Sequence, residues 1–345
     1  MVAKKKFCIS LNGCPKNLEI LLEKFRDHIH EVFYPAPPDI LATSRENRLP
    51  ITHEELKRQV CYAHEQGVRY NVLMDGACHG GVQFSTVFQS KVLKFIDFLN
   101  DIKADSVTIS DPFLIKLVRN NLEAKIVVSG WSDVASPLNA KRFQECGADS
   151  ITLGSHIIKN FQLLPKIKKV ITKELRITLN GGFLHHSVHF FADTTIVSHL
   201  SVVSDYERMQ YGDYSYPLER YRLTLMNNPL EFLMCAFVRP EDTHLYDKDI
   251  LFFEIIGENA PTEWMVHTLQ AYINRSYEGN ILDLFSHFAG VRDKRNIPNQ
   301  ALSEWMKFSS NVSGMRLVEK CEEYYQAHQL GRFFEGRKVE VTTLT

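Results

Sequence analysis

The chain lacks the short signatures that most directly identify a catalytic class. Across 345 residues there is no CxxC, no HExxH, no GxGxxG and no GxxxxGK[ST]. The first two absences leave out a thioredoxin-type redox pair, a zinc ribbon and a zincin. The last two remove both nucleotide-binding signatures of an open, doubly wound sheet. No window approaches 18 apolar residues, so no membrane span is expected. Neither sign of charge dominates: the formal net charge is −1. That argues against a whole-protein pull on nucleic acid, and no DNA partner is expected, although a local basic groove stays open. Cysteine is sparse and scattered, with Cys8, Cys14, Cys61, Cys78, Cys146, Cys235 and Cys321 making an odd total of seven. Free thiols in a reducing compartment fit that pattern better than a disulfide framework. The start, "MVAKKKFCISL", is basic and then only briefly apolar, too short for a signal h-region. A cytoplasmic protein is the expectation.

Hydrophobic residues make up 44% and charged residues 23%, enough for a sizeable core. The first two-thirds alternate in type. "KKFCISLNG", "EVFYPA", "VRYNVLMDG", "SVTIS", "KIVVSG", "SITLG" and "LRITLNGG" read as strands. Between them lie helical patterns. "NLEILLEKFRDHI" puts Leu18, Leu21, Leu22 and Phe25 on one face. Thr52 and Glu55 form a capping box before "HEELKRQVCYAHEQG", and Asp111 caps a helix with Pro112 at its first position. The strand runs read as continuously apolar, as expected when both faces of a parallel sheet are covered. Right-handed crossovers then give a closed barrel or an open sheet, and the missing nucleotide signatures favour the barrel. The expected fold is α/β, a TIM-like (β/α) barrel with a C-terminal α+β extension. Residues 1–200 form the main (β/α) barrel portion. Residues 201–290 complete the barrel with a strand pair, "FLMCAFVRPEDTHLYDKDILFFEIIGE", and a long helix over "PTEWMVHTLQAYINRSYEGNILDLFSHF". The loop-like centre of "VVSDYERMQYGDYSYPLERYRL" precedes them, and residues 291–345 form a helical tail.

From about Ile51 to Phe285 the order of segments resembles the collagenase-like peptidase family U32, a family of barrel proteins. "ITHEELKRQVCYAHEQGVRYNVLMDGACHGG", "ADSVTISDPFLIKLVRN" and "ECGADSITLGSHIIKNF" carry the likeness. So does the stretch from "VRPEDTHLYDKD" to "EGNILDLF", which resembles one branch's Arg-Pro-Glu-Asp turn, strand, glycine and long helix. The resemblance implies a site at the C-terminal ends of the barrel strands, as barrels of this kind generally have. Its members are described as peptidases, and others resemble oxygen-transfer enzymes acting on RNA bases or quinone precursors, some with a four-cysteine iron–sulfur cluster. The family's cysteines cluster after the strand matching "LRITLN". Here Phe183 and Ser187 stand where thiolates are expected, and Cys78 is the one matching cluster cysteine. A cubane needs four thiolates or close substitutes, so an ordinary cluster is not expected in this divergent member.

"GGFLHHSVHFF" is the densest polar stretch beyond a strand. If it is helical, His185, His189 and Asp193 share a face and could bind a divalent metal. If it is a loop, the histidines are acid–base or substrate-binding groups, or polar loop residues with neither role. Cys78 and His79 suggest a nucleophile and base, or a spare thiol beside a histidine that points elsewhere. Glu254, in "LFFEIIGE", is a carboxylate that burial would force to pair or shift its pKa, or else the outward residue of a half-buried strand. His185, His189, Cys78 and Glu254 are therefore the catalytic candidates. Asn12, Asp75, Trp131, Asn180, His199 and Arg239 are the substrate-binding ones, each with a packing or ion-pair alternative.

Two classes of function follow. One is an enzyme that cleaves or modifies a peptide or a small polar substrate at the C-terminal rim, its cofactor unknown and a divalent metal one candidate. The other is a degenerate, non-catalytic member that binds and supports a cluster-bearing homologous partner.

Overall fold

The computed structural model describes residues 6–38, 42–44, 49–201, 216–286, 295–312 and 315–334. Eight parallel strands close into a barrel in sequence order. They are β1 (Phe7–Ser10), β2 (Ile29–Pro35), β3 (Arg69–Met74), β4 (Ser106–Ile109), β5 (Lys125–Val128), β6 (Ser150–Thr152), β7 (Glu174–Thr178) and β8 (Phe252–Ile255). Closure is made where β8 pairs with β1, Phe7 facing Phe253 and Ile9 facing Ile255. The crossovers carry α1 (Pro15–Phe25), α2 (His53–Glu65), α3 (Thr86–Asp101), α4 (Pro112–Arg119), α5 (Pro137–Glu145) and α6 (Leu164–Val170). α7 (Phe190–Leu200) follows β7. None of the described helices is long and apolar enough to cross a membrane.

The helices begin where local chemistry tells them to. Thr52 accepts from the Glu55 N–H, Ser85 from Phe88, Asp111 from Phe113 and Ser136 from Asn139, each satisfying an orphan donor of a first turn. Only half of the expected capping box forms: the Glu55 carboxylate turns to Arg58 and Gln59 instead. On α1, Leu18, Leu21, Leu22 and Phe25 are buried, as their spacing requires.

The strands differ from the continuous apolar runs expected of them. They alternate. Phe7, Ile9, Val32, Val72, Val107, Ile126, Ile151, Ile177 and Phe253 face the helices and form the main core. The intervening positions point inward, as a period of two demands. There they place Cys8, Phe33, Leu73 and Phe252 in a small cluster. Glu31, Asn71, Ser106, Thr108, Ser150, Arg176 and Glu254 occupy further inward positions, all of them buried. A polar lumen sealed from water reads as "buried on both faces" while holding a hydrogen-bonded network.

The C-terminal region departs further. Of the expected strand pair only β8 is a strand. Residues Pro229–Met234 are helical, capped by the Asn228 side chain, and Pro240–Tyr246 is a 3-10 turn. Of the run "FLMCAFV", Phe232, Leu233, Cys235 and Phe237 lie in a second core with Leu225, Phe285, Trp305 and Tyr324, while Ala236 and Val238 join the main core, so the run is apolar on every side and periodicity could not separate helix from strand. The long helix covers Thr262–Asn274 and ends there because Arg275 turns left-handed, at φ 52°. The tail contains helices Trp305–Ser309 and Met315–Ala327. The loop-like centre expected over 202–215 and the last residues, 335–345, lie outside the described residues.

Candidate active site at the barrel mouth

The lower lumen is a neutralised layer. Arg176 of β7 and Glu31 of β2 form an ion pair with both side chains 1% exposed. Asn71 donates to Glu31 at 2.9 Å, Ser106 at 3.0 Å, and Arg176 donates to Ser150 at 2.7 Å. Burial alone would push the Glu31 carboxyl up, but the Arg176 guanidinium and these donors hold it down at about 2. Burial raises the Cys8 thiol, so it stays protonated beside them.

One layer higher, Glu254 of β8 accepts from Thr152 at 2.8 Å and from Thr178 at 3.2 Å. It lines a pocket of about 30 Å³ together with Trp131, Leu153, Ser155, Thr178, Phe183 and Phe190, room for about two waters. Trp131 meets Phe183 edge-on at 5.2 Å and Phe190 at 6.0 Å. Phe183 is fixed by the chain after β7. Gly182, at φ 60°, donates to Ala236, and Ala236 donates back to Phe183. A Cβ on Gly181 would sit 2.8 Å from the Phe183 ring, so glycine is required for that fold-back. Residue 183, where the family resemblance leads to an expected thiolate, is therefore a wall of the pocket.

α7 crosses from this pocket to the loop after β3. Phe190 at its start lines the pocket. Near its end Ser198 accepts from the Ala77 N–H, and His199 places Nε2 3.3 Å from Cys78 Sγ. At 1.5 Å per residue the two ends lie roughly 13 Å apart. The Gly80 N–H also points at the Cys78 sulfur, at 3.4 Å. Gly80 itself has φ 64° and lies against His199, where a Cβ would stand 3.2 Å from the ring. His79 turns the other way: it is buried, tilted against Phe88, and burial lowers its pKa. The sequence neighbour is thus not the partner of Cys78; His199 is.

The histidines after β7 split. α7 begins at Phe190, with His189 at its N-cap position, so His185 is not on the helix. The chain turns at His186, φ 49°, and His185 and His186 pack with His156 at ring separations of 6.4 and 4.4 Å. His156 is anchored by Asp133 at 3.0 Å. Burial, then the neighbouring His186 and Lys159, push His185 down to about 3. Asp193 is paired with Arg220. The expected metal trio of His185, His189 and Asp193 therefore does not assemble, because the segment is helical only after its last histidine. Among the described residues no group of three or more His, Cys, Asp and Glu side chains could hold a metal ion. The seven thiols are likewise dispersed from lumen to surface, so the donor set does not fit a four-thiolate cluster.

The remaining candidates carry loop-to-loop ties. The Asn12 amide donates to Ala260 and Thr262, and Asn180 exchanges bonds with Ile256 and donates to Leu284. Asp75 accepts from Thr43 at 2.6 Å. Arg239 makes a two-point pair with Asp242 and donates to the Asn299 and Ser303 carbonyls. Of the residues singled out in sequence, the structure gathers Glu254 with Trp131, and Cys78 with His199, and keeps His185 in a separate cluster. His156, Phe183 as a wall, Phe190 and the Glu31–Arg176 pair were not foreseen. Of the last of these, only Arg176 was signalled, by the strict alternation of "ELRIT"; "IHEVF" around Glu31 does not alternate. Lys159 was missed too: buried, it donates to the Leu233 and Cys235 carbonyls, and burial lowers its pKa to about 8.

Comparison with known proteins agrees with this architecture. The model of peptidase family U32 matches residues 16–175. A Methanocaldococcus jannaschii protein named as an uncharacterized protease is 26% identical over 325 residues, 91% of this chain and 95% of that protein. A solved U32 peptidase structure covers 76% of this chain and 96% of its own, with a TM-score of 0.55 and 22% identity, which bears on the fold. With an eight-stranded barrel closed in sequence order, the chain is similar to peptidase family U32 over residues 16–175.

Proposed function

We propose that this peptidase-like barrel protein is an enzyme acting on a peptide or small polar substrate at the C-terminal rim, with Cys78 as nucleophile and His199 as its base. The observation that carries the reading is the 3.3 Å contact between Cys78 Sγ and His199 Nε2, at a partly exposed position beyond β3. An imidazole at that distance can take the thiol proton and later give it to a leaving amine. The Gly80 N–H at the sulfur supports the anionic form. Attack on an acyl carbon would give a thioester, which water then hydrolyses.

Peptide release from a quenched-substrate library tests this. Cys78→Ala is expected to lower the rate at least about a hundredfold, and His199→Gln to shift the pH profile of Cys78 alkylation. Cys14 and Cys61, both exposed, are internal references for alkylation. Full hydrolysis by Cys78→Ala, or Cys78 alkylation indistinguishable from these two thiols and unchanged by His199→Gln, refutes the reading.

A second reading, a non-catalytic subunit supporting a cluster-bearing homologue, is favoured by the narrowness of the mouth, where Phe183 stands in place of an expected thiolate. It requires a stable complex with such a homologue, measurable by sedimentation, whose activity is indifferent to Cys78→Ala.

A further inference from the structure

The large apolar side chains left exposed gather at one end of the barrel. Of the ten among the described residues, all but Val170 and Met315 stand beyond the strand C-termini or on α7. Two groups of three lie on the two elements that supply Cys78 and His199. Val82, Phe84 and Val87 follow Cys78, in the β3–α3 loop and the first turn of α3. Val188, Phe191 and Ile196 precede His199, on α7 and just before it. We infer that this face is the docking surface for an extended, uncharged, apolar segment of a polypeptide, laid across the rim against both groups.

α7 carries the first part of the argument. A surface helix ordinarily turns its apolar stripe to the core. Here the buried positions are Asp193, Thr194 and Ser198, tied to Arg220, the Phe190 carbonyl and the Ala77 N–H. Phe191, 68% exposed, and Ile196 face outward with His199, and Val188 before the helix is 90% exposed. The β3–α3 loop is fixed in a similar display. The Val82 N–H donates to the His79 carbonyl, Ser85 caps α3, and the Gln89 amide donates to the Gln83 carbonyl. Phe84 lies against Phe113 at 4.9 Å and is still 65% exposed. Apolar side chains clustered in water mark an interaction site.

Three observations select the occupant. The pocket under Phe183, about 30 Å³, is too small to enclose a small-molecule substrate, whereas a chain lying over the rim needs no enclosure. Residues 82–90 and 187–199 hold no lysine or arginine, and their one acid, Asp193, is buried and paired. Nothing in either stretch draws an anionic lipid surface or a charged peptide. The two groups also meet at the dyad, where Cys78 and His199 lie 3.3 Å apart, so a chain covering both passes the thiol. The inference rests on the thiol reading for calling the occupant a substrate; docking itself is read without turnover.

The Cys78→Ala chain is titrated, by fluorescence anisotropy, with a labelled, end-blocked octapeptide holding leucines and a phenylalanine among glycines and serines. The reference is the same peptide with those apolar residues replaced by serine. The apolar peptide is expected to bind at least about tenfold tighter. Phe84→Ser and Phe191→Ser, both at exposed positions that the fold tolerates, should each weaken it about threefold. Met315→Ser, exposed but away from the rim, should leave it unchanged. Equal binding of the two peptides, or undiminished binding after both phenylalanines are replaced, overturns the inference. So do wild-type dimers in sedimentation that Phe191→Ser disperses, which assign the face to a second copy. Binding to phosphatidylcholine vesicles that the peptide does not displace assigns it to lipid and overturns it too. The two readings fail separately. Selective binding without cleavage of the apolar peptide by the wild-type chain refutes the thiol chemistry and upholds the docking surface. Cys78-dependent cleavage of both peptides at one rate does the reverse.

Discussion

Glu31 and Glu254 occupy equivalent inward positions on strands that flank β1, yet the barrel treats them differently. Glu31 sits in the lower lumen, 1% exposed, against a guanidinium and two further donors. Glu254 sits one layer up, 8% exposed, held by two threonine hydroxyls and facing a pocket. One carboxylate closes the floor of the barrel; the other is presented to its mouth. Such barrels divide stability and chemistry between their two ends.

The strongest way to break that comparison is to remove one partner of the lower pair. Glu31→Gln should cost about 3–5 kcal/mol in urea unfolding, because it leaves Arg176 buried and uncompensated. Replacing both, Glu31→Leu with Arg176→Met, should recover most of the loss. A single-variant cost below about 1 kcal/mol would mean the pair is not sealed from water. The pH dependence has a definite sign. The folded carboxyl is held at about 2, below its unfolded value of about 4.3. Its contribution is therefore complete above about pH 4.3 and is lost as pH falls toward 2. Wild type should lose stability more steeply than Glu31→Gln in that window.

At the upper layer the expected effect is smaller. Glu254→Gln should cost about 1–2 kcal/mol, because an amide can still engage Thr152 and Thr178. A loss as large as that of Glu31→Gln would erase the distinction between the layers. Smaller again is the effect at the rim. The folded pKa of His185 is lowered to about 3, so the unfolded chain takes up the proton first. Stability is then complete above about pH 6.5 and declines as pH falls toward 3. His185→Gln should flatten that decline by about 1 kcal/mol, since the ring is only partly buried. No change in slope would place His185 in contact with water in the folded chain.

The barrel was legible because its seven leading strands and the crossover helices carry strong local signals: caps at Thr52 and Asp111, and an apolar face on α1. β8 was legible from "ILFFEII". The polar lumen was less so. In strands of three to seven residues, a glutamate or arginine among apolar neighbours gives little indication of whether it faces water or another charge. The residues at the mouth were named individually, and their grouping was not. Cys78 precedes His79 in sequence, yet its imidazole comes from His199, 121 residues away. The helical reading of His185 and His189 failed on a single left-handed residue, His186, whose conformation no propensity encodes.

The sequence by itself determined the alternation of strand and helix, because periodicity and capping are local properties of the chain, and it left the closure of the sheet to the tertiary structure. Which polar groups meet was decided only in three dimensions. Barrel closure brings inward side chains from distant strands to one level, and the path of α7 across the mouth selects the pairs. Neither the neutralised floor of Glu31 and Arg176 nor the aromatic pocket over Glu254 exists in any one segment.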